Sequence, residues 1–213
     1  MLDTLKALDE RLLLYLNGLH NPFLDQAMWL FSDRFFWIPL YALFLVLLYK
    51  QFPTKYWTVL LTVVVMIVVS DQLCTLSKDH LLRLRPSNEP HLIGLVHTVN
   101  DYTGGMYGFY SGHAANSFAV AVFLILLVSK RYRYIIPVAL AYALFTAYSR
   151  IYLGVHYPGD VLTGIVIGSL TGLGFAKAYI ALRHKYFNDR KRTANNKYAF
   201  KKGKLINNRK SWR

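Results

Sequence analysis

Five stretches without a charged residue punctuate this chain, at Phe35–Tyr49, Tyr56–Ser70, Ala114–Ser129, Tyr134–Ser149 and Val161–Ala176. Each is about 15 residues, short of the ~20 that a helix needs to cross ~30 Å of hydrocarbon. Five such runs in a small chain leave too little polar surface for a soluble fold. They are therefore predicted to be membrane helices whose polar ends face the interior of a bundle, where ionisable residues are functional candidates by default. The expected fold is all-α, an integral membrane bundle of about five transmembrane helices.

Ahead of the first run, Leu2, Leu5, Leu8, Leu12, Tyr15, Leu16 and Leu19 recur at three- and four-residue spacing, opposite Asp3, Lys6, Asp9 and Glu10. That pattern predicts an amphipathic helix lying in the membrane interface. It does not suit a signal peptide, because acids precede any apolar run and no small-residue cleavage site follows. Asn21–Ser32 is apolar enough either to continue along the interface or to dip into the bilayer. No internal repeat or low-complexity segment is visible.

Composition strengthens the membrane reading. Of 213 residues only 17% are charged, with a mean hydropathy of +0.27, where ~25% charged is usual for soluble domains. The net charge of +14 would suggest a nucleic-acid partner if it were spread evenly. It is not. Arg183–Arg213 holds twelve Lys/Arg against the single acid Asp189, so the chain divides into a membrane domain, 1–182, and a basic tail, 183–213. A basic tail after an apolar helix is expected beside anionic lipid headgroups on the cytoplasmic side, and no nucleic acid is expected. Lys50, Lys55, Lys130, Arg131 and Arg133 fall on the same side of a five-span bundle. The opposite, outer side receives Ser77–His113, Arg150–Asp160 and the amphipathic N-terminus. The single cysteine, Cys74, forms neither an intrachain disulfide nor a cysteine metal cluster.

That outer side collects the unusual polar residues. Lys78 and Arg85 are two helical turns apart near the end of the second run, pointing the same way, with Pro86 helping to end the helix; alone they read equally as snorkelling cations. Ser111-Gly112-His113 opens the third run, where glycine and free N–H groups favour an anion. Ser111 could also be a plain N-cap, but a cap needs no imidazole. Ser149-Arg150 closes the fourth run, and His156-Tyr157-Pro158-Gly159-Asp160 opens the fifth. A carboxylate about one turn from His156 can accept its Nδ1–H and leave Nε2 free to act as base or nucleophile. Asp160 could instead be a structural acid at a helix N-terminus. Together, three cations, a Ser-Gly helix entry, two histidines and a carboxylate match a phosphate group.

These clusters resemble the signature of the type 2 phosphatidic acid phosphatase (PAP2) superfamily: K-x6-R-P, then P-S-G-H, then S-R-x5-H-x3-D. Here it is carried by Lys78 to Arg85-Pro86, by Tyr110-Ser111-Gly112-His113, and by Ser149-Arg150 to His156 to Asp160. All spacings are kept, and the one departure is Tyr110 in place of the family's proline. The resemblance implies His156 as nucleophile, forming a phosphohistidine, Asp160 as the group that orients it, and His113 as general acid. It implies that Lys78, Arg85, Ser111, Gly112 and Arg150 hold the phosphate oxygens, with no metal and no other cofactor.

The expected function is hydrolysis of a phosphomonoester or diphosphate of an envelope lipid, at the outer face of a bacterial plasma membrane. Undecaprenyl diphosphate ranks first, ahead of lipid A phosphates and phosphatidylglycerol phosphate. The rivals are a vanadate haloperoxidase, which would be soluble and larger, and a non-catalytic lipid-phosphate binding or transport protein, which would lack His156, His113 or Asp160. Asp71 either pairs with a neighbour in the bundle or sits in a polar layer below the site. His80, His91, His97, Glu89 and Asp101 are expected to be solvated loop residues. Gly164, Gly168, Gly172 and Gly174 are expected to permit close helix contact.

Overall fold

The computed structural model describes residues 2–210, with side chains described over residues 3–185. Seven α-helices follow one another: α1 (Leu2–Asn17), α2 (Pro22–Ser32), α3 (Ile38–Gln51), α4 (Tyr56–Leu81), α5 (Gly112–Val128), α6 (Ile135–Tyr152) and α7 (Pro158–Lys210). Met1–Phe175 form one compact unit, and a second begins at Ala176. The basic tail expected over 183–213 lies, beyond residue 185, outside the described side chains.

The five uncharged runs correspond to α3 through α7, and this is an integral membrane helical bundle. Three segments, Pro53–Leu81, Ile135–Tyr152 and Pro158–Lys185, are long and apolar enough to cross a membrane, whereas α3 and α5 are shorter. Polar residues extend α4 well past the uncharged run, through Asp71 and Lys78 to Leu81. At 1.5 Å per residue, α5 covers only about 25 Å. It can be short because it is the centre of the bundle: Ala114, Ala115, Ala119, Ala121, Phe123, Leu124 and Val128 on it are all buried. The outer helices instead expose apolar side chains such as Leu61, Val64, Leu162 and Val166, as a lipid-facing surface requires.

Close approach of α7 to α5 depends on glycine. A methyl group on Gly168 would meet the backbone of Ala115, one on Gly172 the backbone of Ala119, and one on Gly164 the carbonyl of Ser111. Gly174 departs from the expectation: it faces open space and takes no part in this contact.

The N-terminal segment is docked more firmly than an interfacial helix needs. Leu5, Leu8, Leu12, Tyr15 and Leu19 remain exposed, as expected for an apolar face in a membrane interface. Leu13 and Asn17, however, are buried, and Asn17 donates to the carbonyls of His97 and Tyr152. The helix α2 begins at an N-cap, Asn21, whose side chain accepts from the Leu24 N–H. It is too short to span, and Met28 joins a core with Tyr152, Leu153 and Val155. Asp25 fixes it to α6 by accepting from the Tyr152 hydroxyl at 2.6 Å, and it contacts His97 Nε2 at 2.9 Å. His97 is thus a structural residue rather than a solvated one, stacked on His20 with ring centroids 3.8 Å apart.

Leucine at Gly168 is expected to destabilise the folded protein by about 3 kcal/mol, the upper end of overpacking costs, because the obstructing neighbour is backbone. Alanine at Gly174 should have little effect. Thermal unfolding in detergent compares the two.

Candidate active site

The segment between α4 and α5 departs from the expected geometry of Lys78 and Arg85. The helix ends at Leu81, and Leu82 caps it in the left-handed region at φ 47°. Arg85 is extended, as favoured for a residue before proline, and it does not continue the helix. Leu84 pairs with Tyr107 in a short antiparallel bridge, and Gly108 N donates to the Arg83 carbonyl at 2.8 Å. This turn carries Arg85 back over the bundle end, so both cations still reach one cavity. Gly108 is required there: a methyl group on it would lie 3.1 Å from Arg85 Cγ and 3.3 Å from Asp160 Oδ2.

The cavity, of about 780 Å³, is lined at its polar end by Lys78, Arg85, Tyr102, Gly112, His113, Arg150 and His156. Its walls continue along α3, α4 and α5 through Phe44, Leu48, Val63, Ile67 and Leu124. The three sequence clusters therefore converge. Ser111 and Asp160 lie behind the wall, both fully buried. Ser111 is the N-cap of α5, its hydroxyl accepting from the Ala114 N–H. Tyr110 does not line the cavity and packs on Cys74 and Ala115.

Arg150 is buried, and it contacts the Ser32 hydroxyl and, at 3.3 Å, the Tyr102 hydroxyl. Arg85 donates through Nε to the Tyr107 carbonyl at 3.1 Å, while its buried Nη1 has no partner. Burial and the neighbouring Arg150 together lower the Arg85 pKa from its ordinary value. A cation held at that disadvantage favours an incoming anion, and a guanidinium presents a donor fork suited to phosphate.

His156 is also buried, and burial together with Arg85, Arg150 and Lys78 pushes its pKa well below the ordinary imidazole range. Its ring is therefore neutral near pH 7. The expected hydrogen bond to Asp160 is not formed: Nδ1 stands 3.7 Å from Asp160 Oδ2. Both oxygens of Asp160 are engaged elsewhere, Oδ1 by Arg83 at 2.7 Å and Oδ2 by the Tyr157 N–H at 3.1 Å.

Arg83 was not singled out from the sequence. It occupies a spacer position between Lys78 and Arg85, and nothing in the spacing distinguishes it. Its guanidinium bridges Asp160 and Asp9 of α1, 2.8 Å from the latter, and stacks 4.0 Å over the Tyr157 ring. Asp9 also accepts from the Gly159 N–H at 2.7 Å, satisfying a free donor at the start of α7. The pattern of α1 placed Asp9 on the polar side, facing water; it faces the bundle instead. Among the described residues no group of three or more His, Cys, Asp or Glu is arranged to hold a metal ion.

A sequence profile of the PAP2 superfamily matches residues 59–183, a stretch that contains all three clusters. The chain belongs to the PAP2 superfamily. It is 44% identical to a lipid A 4'-phosphatase of Bacteroides thetaiotaomicron over 178 residues, covering 81% of this chain and 77% of that relative. It is 34% identical to a lipid A 4'-phosphatase of Porphyromonas gingivalis, over 87% and 78% of the two chains. An undecaprenyl-diphosphatase of Sulfolobus acidocaldarius is 33% identical over 72% of this chain and 66% of its own. The solved structure of Aquifex aeolicus LpxE shares the fold with a TM-score of 0.62 and 25% identity, over 80% and 95% of the chains. A transmembrane PAP2-type phosphatidylglycerolphosphate phosphatase from Bacillus subtilis shares it with a TM-score of 0.64 at 23% identity, over 86% and 89%. This PAP2 chain is a membrane lipid phosphatase.

Replacing Arg83 with methionine is expected to destabilise this PAP2 protein by about 3–5 kcal/mol, because it strands the buried Asp160 carboxylate. Lysine at the same position should recover part of the loss. Melting temperatures of the two variants in detergent check it.

Proposed function

We propose that this PAP2 phosphatase removes a phosphate from a lipid A-type glycolipid at the outer face of a bacterial inner membrane, through a phosphohistidine on His156. The observation that carries the chemistry is the cavity itself. Two histidines and three cations line one end, and apolar walls continue from it. Such a cavity suits a lipid whose phosphate reaches the cations while its chains stay in hydrocarbon.

In this reading neutral His156 attacks phosphorus through Nε2, forming a P–N bond as the bond to the leaving oxygen breaks. His113 donates the proton that the departing oxygen needs. Lys78, Arg85, Arg150 and the Gly112 N–H hold the remaining phosphate oxygens, with Ser111 fixing the start of α5 behind them. The Asp160 carboxylate faces Nδ1 and stabilises the positive charge that develops on the ring. The separation of 3.7 Å is compatible with a contact that tightens once substrate is bound. Water then attacks the phosphohistidine, with His113 now accepting its proton. The side-chain cations supply the charge, so no metal is required.

The lipid A assignment is supported by the two lipid A 4'-phosphatases, at 44% and 34% identity. Undecaprenyl diphosphate, the first-ranked substrate from the sequence, is the second reading, supported by the 33% identical undecaprenyl-diphosphatase. The outer placement of the site rests on Lys50, in the last turn of α3, and on Lys55, Lys130, Arg131 and Arg133, all at the opposite helix ends. By the same argument the basic tail is cytoplasmic, beside anionic headgroups.

Phosphate release by detergent-purified protein, with lipid A, undecaprenyl diphosphate, phosphatidylglycerol phosphate and phosphatidic acid as substrates, is expected to be fastest with lipid A. His156→Ala should abolish turnover, and EDTA should leave the wild-type rate unchanged. Full activity in His156→Ala would refute the phosphohistidine route. Because the His156 pKa is depressed, its neutral form persists as pH falls. The acid limb of kcat/KM, corrected for ionisation of the substrate, should therefore lie below the ordinary histidine value of ~6.5.

A further inference from the structure

Directly inward of the phosphate-facing residues the cavity wall is polar again before it becomes apolar. Asp71 precedes Lys78 by two helical turns on α4, Asn116 follows His113 by about one turn on α5, and Thr146 precedes Arg150 by about one turn on α6. All three line the same cavity. Each is displaced from its phosphate-facing neighbour toward the middle of the bilayer, by about 10, 4.5 and 6 Å along the respective helix axes. Asn116 donates through Nδ2 to Asp71 Oδ1 at 2.7 Å, which fixes the orientation of the amide. Its Oδ1 is buried and has no hydrogen-bond partner, and neither has the buried Thr146 hydroxyl.

Unpartnered polar atoms and a carboxylate at membrane depth are costly unless something pairs with them. This set consists mainly of acceptors: the Asp71 carboxylate, Asn116 Oδ1 and a hydroxyl. Acceptors repel a second phosphate and favour O–H or N–H donors. We infer that Asp71, Asn116 and Thr146 form a specificity tier that reads hydrogen-bond donors on the part of the lipid next to the scissile phosphate. A glycolipid offers sugar hydroxyls and amide N–H groups there. A prenyl diphosphate places its second phosphate and then hydrocarbon there, the first against acceptors and the second against unsatisfied polar atoms. The tier therefore selects phosphorylated glycolipids over prenyl diphosphates. The inference rests on the lipid phosphatase reading and adds the residues that choose among lipids.

The test compares kcat/KM for lipid A with kcat/KM for undecaprenyl diphosphate, in the wild type and in Asn116→Leu and Thr146→Val. The ratio does not depend on how much of a variant is folded, and the near-isosteric Thr146→Val guards against loss of Asn116→Leu. Wild type should prefer lipid A, and the ratio should fall about tenfold or more in each variant, as expected when a site loses partners for substrate donors. An unchanged ratio, or a wild type that prefers undecaprenyl diphosphate, would overturn the tier and leave the phosphatase assignment standing. Release from neither lipid by folded wild-type protein would overturn the substrate reading on which the tier depends.

Discussion

Asp160 is a carboxylate with no exposed surface, and much of this end of the bundle is arranged around neutralising it. Arg83 supplies the charge, and Asp9 holds Arg83 from the other side while accepting from the first turn of α7. Three segments distant in sequence are thus joined by one alternating acid–base–acid chain. A buried carboxylate left without its cation would be strongly unfavourable, so the α4–α5 connection has little freedom to move away. The short bridge between Leu84 and Tyr107 and the close approach at Gly108 hold that connection in place. The position of Arg85 over the cavity follows from them.

With Asp160 already matched by Arg83, no carboxylate forms an ion pair with Lys78, Arg85 or Arg150 among the described residues. Arg150 hydrogen-bonds to two hydroxyls, and Arg85 keeps a buried nitrogen without a partner. The site is therefore charged in excess before any ligand arrives. In the proposed route, burial together with that excess keeps the His156 ring neutral, the form a nucleophile needs.

The sequence made the bundle and the three clusters legible because membrane helices and close motifs are local patterns. Uncharged runs located α3 through α7, and each of the three clusters brings residues to a common cavity, with Ser111 and Asp160 behind its wall. Interactions made across long separations were not legible. Arg83 looks like any spacer cation, and Asp9 like any polar residue on an amphipathic helix, until folding brings them within 2.8 Å. Extending the helix through Arg85 was wrong because Leu82 turns the chain three residues earlier. His97 likewise gave no sign that it would be held between His20 and Asp25.

The stretch shared with the superfamily, residues 59–183, leaves out α1, α2 and α3. Yet Asp9 of α1 restrains Arg83, Ser32 at the end of α2 touches Arg150, and Phe44 and Leu48 of α3 line the cavity. The boundary of the family profile is thus not the boundary of the folded unit. The residues of the three clusters lie in the matched stretch, whereas Asp9 and one wall of the cavity lie outside it. A change confined to the first fifty residues therefore reaches the cavity and the ion pairs behind it without touching a motif.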